Sequence, residues 1–169
     1  MGAMRRIASF AYITPAAWAN GAGETTELVS LAESAALTPD RARWRLSIAR
    51  LERPGPFSSL PGVDRTFLPT AEVVLEISGT PHRAGPGRPL RFPGDSEVVL
   101  TELSEPCFAV NLMVEAGGSL QGLTMIPAPS GTARFVLTLD SDEQWGRFDL
   151  LELDTGDELP DRLGAVGFD

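Results

Sequence analysis

Apolar and polar residues alternate one for one along most of this chain, and a period of two is incompatible with a helical protein. In 43–51, Trp44, Leu46 and Ile48 alternate with Arg43, Arg45 and Ser47, which predicts a strand with one apolar and one polar face. Residues 72–78 repeat the pattern, with Val73, Leu75 and Ile77 on one side. Strands are predicted also over 97–103, 107–115, 120–127, 134–139 and 147–153. The alternation is weaker in 8–13 and 25–31, and the latter also reads as the start of a short helix running to Ala36. The 17 glycines and 14 prolines gather in turn signals such as Pro54-Gly55-Pro56, Pro61-Gly62, Gly85-Pro86-Gly87, Pro93-Gly94-Asp95, Gly117-Gly118, Ser130-Gly131 and Thr155-Gly156-Asp157. Many short strands with this punctuation predict an all-β sandwich or barrel. Closing the sheet would remove the exposed edges that so β-rich a chain otherwise carries. At 169 residues the expectation is one unit over 1–169, loosely halved into 1–115 and 116–169 with a seam near 115–120.

Charge narrows the partners. The 14 basic residues stand against 23 acidic ones, for a net charge of −9, so a nucleic-acid partner is not expected. Every basic residue is arginine, which removes Schiff-base chemistry and the phosphate-loop lysine together. His82 and Cys107 are the single histidine and the single cysteine. An intramolecular disulfide is therefore impossible, and no zinc site with several Cys or His ligands can form. No metal and no cofactor are expected. No apolar run reaches the ~18 residues of a membrane-spanning helix and no long apolar stretch follows Met1, so the expected setting is the cytoplasm, away from membranes. The acidic segment 154–161 reads as a solvated surface.

Three stretches carry unusual chemistry. In Trp18-Ala19-Asn20-Gly21-Ala22-Gly23, Asn20 and the glycines permit tight or left-handed backbone, which lets amide N–H groups converge on a ligand that Trp18 covers. A surface loop with Trp18 plugging the core is the plainer alternative. In the second stretch Arg45 and Ser47 share a strand face, about 6.6–6.8 Å apart along the strand, and Arg45 facing a cavity would be an anion clamp. Downstream come Phe57, Ser58, Asp64 and Arg65; Asp64 and Arg65 read as an internal ion pair shaping the cavity or as a turn device. The third stretch, 107–115, puts Asn111 and Met113 on one face with Cys107 and Ala109. An amide in so apolar a strand needs partners, because leaving it unsatisfied costs about 1–3 kcal/mol. That face reads as a cavity lining, or as an Asn satisfied by backbone. His82 is expected to be exposed after a turn, and Cys107 to be a buried inert thiol.

These stretches together resemble the HutD/Ves family. The matching pieces are Trp18-x-Asn20-Gly21-x-Gly23-x-Thr25-x-Glu27, Trp44-Arg45-Leu46-Ser47-Ile48-Ala49, Gly55-Pro56-Phe57-Ser58, Pro61-Gly62-Val63-Asp64-Arg65, Phe92-x-Gly94-Asp95 and Asn111-Leu112-Met113. The resemblance implies a cupin (RmlC-like) β-barrel fold in bicupin form, two small barrels in one chain. It also implies an accessory or regulatory link to bacterial histidine utilisation, with formylglutamate a suggested ligand. The chain departs from the family loop at Ala19 and Ala22, where a lysine and a third glycine are common.

The expected function is non-catalytic binding of a small anionic or amide-bearing metabolite, with Trp18, Asn20, Gly21, Arg45, Ser47, Phe57, Ser58, Asp64, Arg65, Asn111 and Met113 as ligand-binding residues and none catalytic. Arg45 is expected to hold the ligand chiefly, with Asn20 and Asn111 as polar readers. Trp44, Leu46 and Ile48 are expected to pack against the other layer. The alternative is a metal-independent cupin enzyme, an isomerase, lyase or hydrolase of a small acid. It would need a cavity carboxylate from among Glu27, Asp64 and Glu76. A protein-interaction module is a third reading, and a homodimer is left open.

Overall fold

The computed structural model describes residues 4–127, 133–154, 157 and 164–169. It is predominantly β, as the period-two pattern predicts. In chain order the strands are β1 (Arg5–Ser9), β2 (Ala16–Ala17), β3 (Gly23–Val29), β4 (Trp44–Leu51), β5 (Gly55–Pro56), β6 (Val63–Pro69), β7 (Val73–Ile77) and β8 (Thr80–Ala84). They continue with β9 (Leu90–Pro93), β10 (Val98–Leu103), β11 (Cys107–Glu115), β12 (Met125–Ile126), β13 (Phe135–Thr138), β14 (Asp149–Glu152) and β15 (Ala165–Phe168). Among the described residues one α-helix, α1 (Leu31–Leu37), follows β3, and a 3-10 turn over Phe10–Tyr12 takes the middle of the segment 8–13 expected as a weak strand. Both readings of 25–31 therefore hold in succession. The strand ends at Val29, and Ser30 caps the helix through a reciprocal capping box with Glu33, which satisfies two backbone donors that the first turn leaves free.

The chain forms two compact units. Residues 15–122 make one, and the described residues of 1–14 and 123–169 make the other. In the 15–122 unit a six-stranded sheet runs β2-β3-β4-β11-β6-β9 and a four-stranded sheet runs β5-β10-β7-β8. Ala49, Leu51, Phe67 and Ala109 of the larger sheet share one buried cluster with Val73, Leu75, Ala84 and Leu100 of the smaller. The second sheet therefore covers the face of β4 that carries Ala49, and by alternation Arg45 and Ser47. This corrects the expected packing of Trp44, Leu46 and Ile48, which are buried on the opposite face. There the Trp44 N–H donates to Ser34 Oγ and its Nε1–H to Thr38 Oγ1, both at 2.9 Å.

The other unit is a five-stranded sheet in the order β1-β14-β13-β15-β12, with Phe135, Leu137, Phe148, Leu150 and Val166 fully buried. Asp149 is buried in it and accepts from Ser9 Oγ at 2.6 Å and the Gly146 N–H at 2.8 Å, and it pairs with Arg6 at 3.2 Å. The units do not follow chain order, because β1 pairs with β14. Each sheet ends in two strands with one neighbour apiece. The closure expected of a barrel is thus absent among the described residues. The turn at 130–131 and most of the acidic segment 154–161 lie outside them.

Six strands escaped the sequence pattern: β2, β5, β6, β8, β9 and β15. For β6 the reason is local. Pro61-Gly62 precedes it, Pro69 ends it and the charged pair Asp64-Arg65 lies near its start, so the segment reads as an ion pair or a turn device and not as a strand. It is instead a central strand, and Asp64 and Arg65, as neighbours on it, point to opposite faces.

Gly23 joins the 18–22 loop to β3. A Cβ there would fall inside contact distance of the Arg50 carbonyl oxygen and within 3.2–3.3 Å of the Trp18 ring. Gly23→Ala is expected to destabilise the fold by about 1–3 kcal/mol, measured by urea denaturation. Unchanged stability would show that the loop does not depend on this close approach.

Candidate functional site

The pairing of β3, β4, β11 and β6 lays side chains out in rows across the inner face of the six-stranded sheet. One row runs Arg45, Met113, Arg65 and Phe92; the next runs Glu27, Ser47, Asn111 and Phe67; a third runs Thr25, Ala49, Ala109 and Pro69. Directly opposed residues in antiparallel strands hold their Cβ atoms ~4.5–5.5 Å apart, so these polar groups are forced together. Above them opens a cavity of about 460 Å³, lined by Thr25, Arg45, Ser47, Ala49, Arg65, Asn111 and Met113 from the sheet, Trp18, Ala19 and Asn20 from the loop, and Pro56, Phe57, Ser58 and Leu60. That volume lies within the ~300–1,000 Å³ usual for small-molecule sites.

Arg65 dominates the floor. It is only 6% exposed. Nη1 donates to the Ser58 carbonyl at 3.3 Å and Nη2 to Asn111 Oδ1 at 3.4 Å, both long contacts, while its buried Nε–H has no partner. The guanidinium carbon lies 5.6 Å from the Phe57 ring centroid and 5.4 Å from that of Phe92, a cation held between two aromatic rings. Among the described residues no carboxylate pairs with it. Burial, reinforced by the nearby charge of Arg45, pulls its pKa down to about 10, so it is still charged at neutral pH. Holding that charge costs the folded state on the order of 3 kcal/mol.

Arg45, expected as the principal clamp, is engaged elsewhere. Its Nε donates to Glu27 Oε2 at 2.6 Å and its Nη1 contacts Met113 Sδ at 3.7 Å. The side chains of Arg45 and Glu27 are 27% and 42% exposed, which places this pair at the rim. Of the two cavity arginines, Arg65 is the one buried without a counter-ion among the described residues. Two amides complete the wall. Asn20 Oδ1 accepts the Ala22 N–H at 2.9 Å, and Asn111 Oδ1 accepts from Arg65. In both, a donor neighbour fixes the amide orientation and leaves Nδ2 unspent. Ser47, buried with Asn111, adds a hydroxyl. Trp18 closes one side, its Nε1–H on Thr25 Oγ1 at 2.8 Å and its ring edge-on to Phe57 at 6.0 Å.

All the site residues predicted from sequence line this cavity except Gly21 and Asp64. Gly21 is a turn residue at φ +69°, its N–H bonded to the Trp18 carbonyl at 3.0 Å; it shapes the loop without facing the space. Asp64 alternates to the other face of β6, and among the described residues no ion pair joins it to Arg65. Thr25, Ala19, Ala49, Pro56 and Leu60 were not singled out as ligand-binding, though Thr25 and Ala49 follow from the strand periods of β3 and β4. His82 lies exposed on β8. Burial pushes the Cys107 thiol above its ordinary range, which suits an inert thiol.

The sequence model of the HutD family matches residues 11–148. The chain belongs to the HutD family. Protein Ves from Citrobacter koseri is 40% identical over 100 residues, covering 57% of this HutD-family chain and 50% of Ves; the chain spans about half the length of the curated relative it matches. The structure of HutD from Pseudomonas fluorescens SBW25 (formate condition) is similar with a TM-score of 0.67 at 24% identity, covering 98% of this chain and 93% of that one. A conserved protein of unknown function from Pseudomonas aeruginosa PAO1 gives a TM-score of 0.67 at 21% identity, covering 99% and 98%. At these identities the structural likeness shows a shared fold.

The strain at Arg65 has a measurable signature in this HutD-family chain. Folded Arg65 releases its proton near pH 10, whereas unfolded Arg65 holds it into the ordinary arginine range. Between those limits the unfolded chain binds more protons, so Arg65 makes stability rise with pH. The absence of lysine removes most competing titrations, and comparison with a variant lacking only Arg65 cancels that of Cys107. Wild type is expected to gain stability relative to Arg65→Met between about pH 9 and about pH 11.5, measured by denaturant unfolding. Parallel pH profiles would mean that Arg65 is not held as an unpaired buried cation.

Proposed function

We propose that this HutD-family chain is a non-catalytic binding protein for a small carboxylate metabolite, serving an accessory or regulatory role in histidine utilisation, the process that its family membership suggests. One observation carries the reading: Arg65 sits charged at the floor of a ligand-sized cavity, with no carboxylate partner among the described residues and with an unspent Nε–H. A ligand carboxylate fits this arrangement because arginine takes it bidentately. Asn111 Nδ2, Asn20 Nδ2 and the Ser47 hydroxyl stand ready for further acceptor atoms. We read the 15–122 unit as an opened cupin-type (RmlC-like) sandwich whose two sheets stand for the walls of the barrel, and the whole chain as a bicupin. Among the described residues no helix is long and apolar enough to cross a membrane, and the cytoplasm remains part of this proposal.

The enzyme reading loses its three candidate carboxylates. Asp64 faces away, Glu76 lies on β7 opposite the face of Val73 and Leu75, and Glu27 is bound to Arg45 at the rim. None of them lines the cavity, so none is placed to move a proton at a ligand bound there.

Calorimetric titration with a panel of small mono- and dicarboxylates, formylglutamate and glutamate among them, tests the proposal. At least one is expected to bind. Arg65→Gln is expected to weaken it by about one to two orders of magnitude, since charge-assisted bonds contribute ~1.5–3 kcal/mol and tenfold is 1.4 kcal/mol. Arg45→Gln is expected to weaken it less. No binding by wild type, or unchanged affinity in Arg65→Gln, would remove the proposal.

A further inference from the structure

We infer that the cavity selects a ligand carrying one carboxylate and no other charge, and that Glu27 sets this selectivity by serving as the internal counter-ion of Arg45. The inference rests on the carboxylate-binding reading above and adds the charge of the ligand.

Two cations and no carboxylate line the cavity. Arg45 has its counter-ion already, Glu27 Oε2 at 2.6 Å. Glu27 belongs to the same cross-sheet row as Ser47 and Asn111, so β3 brings a negative charge to the edge of the binding face without putting it inside. Counting Glu27, the site carries one uncompensated positive charge, that of Arg65. One ligand carboxylate at Arg65 and Asn111 balances it. A second carboxylate has one remaining cation to reach, Arg45, and must share that guanidinium with Glu27. Two carboxylates on one guanidinium repel at short range in a partly enclosed space, where salt screens weakly. The net charge of −9 offers a dianion no compensation from farther away.

The neutral polar groups agree. The unspent groups of fixed direction are all donors: Arg65 Nε–H, Asn111 Nδ2 and Asn20 Nδ2. The Asn111 and Asn20 oxygens are taken by Arg65 and by the Ala22 N–H. A ligand ammonium would meet two guanidinium groups and amide donors, and no carboxylate inside the cavity would receive it. The uncharged remainder of the ligand is therefore acceptor-bearing or apolar. Dicarboxylates, formylglutamate included, rank below singly charged acids of the same length in this chain.

Glutarate and its monomethyl ester share a carbon skeleton and differ by one charge, and calorimetric titration of both into wild type and Glu27→Gln tests the inference. Wild type is expected to bind the monoester about tenfold more tightly than glutarate. Glu27→Gln is expected to raise glutarate affinity about tenfold while moving the monoester by less than about threefold. Glu27 is exposed, so the variant should fold, and Glu27→Ala is expected to give the same pattern. Equal or tighter glutarate binding by wild type, or a variant that moves both ligands alike or leaves glutarate unchanged, overturns the inference and leaves the carboxylate-binding reading standing. Binding of neither probe, or of any acid in the broader panel, overturns that reading and this inference with it.

Discussion

A guanidinium held almost wholly out of water with no carboxylate beside it is the constraint around which the 15–122 unit is arranged. Removing a cation from water is expensive unless something replaces its hydration. Here the replacements are partial: two aromatic rings, a carbonyl and an amide oxygen at long distances, and nothing at Nε. Asn111 depends on the same contact, since its own oxygen would otherwise lie buried in an apolar strand. Arg65 and Asn111 thus satisfy each other incompletely, and the proposed ligand carboxylate is the group that would complete both. In the proposed binding role, the arrangement would trade folding stability for a site formed before the ligand arrives, lowering the reorganisation that binding requires.

Register makes that contact possible. Arg65 and Asn111 lie on neighbouring strands one row apart, and a slip of one residue would turn every side chain of a strand to the opposite face. Both faces of β4 and β11 are buried, so both oppose a slip. Leu46, Ile48, Val110 and Leu112 anchor one face, and Ala49, Ala109 and the Leu75–Leu100 cluster anchor the other. The close approach of Gly23 to β4 and the turn at Gly21 then carry Trp18 and Asn20 over the cavity. The loop glycines act indirectly, through the geometry of what they support.

Charge is divided between floor and rim. Buried Arg65 holds its charge where salt and water reach poorly, and Arg45 and Glu27 hold opposite charges where solvent reaches both. A rim pair of this kind adds little to stability. Its effect is on the field inside the cavity, where a neutralised Arg45 leaves a different site from a free one.

The sequence by itself determined the predominantly β architecture, through the alternation in 43–51, 72–78 and 107–115. It also determined that no multi-histidine metal site can form, and it put Arg45, Ser47 and Asn111 on strand faces that pair directly. The family-like motifs marked most of the residues that line the cavity. Only the tertiary structure decided which arginine matters. Arg45 sits in a clean alternating strand and reads as the clamp, but its charge is answered by Glu27, 18 residues away in sequence. Arg65 sits between proline-bearing turns and reads as half of an ion pair with Asp64 or as part of a turn, but β6 is a central strand that carries it to the floor. Alternation reports which side of a strand a residue takes. It says nothing about what stands opposite, and a buried charge is defined by what stands opposite it.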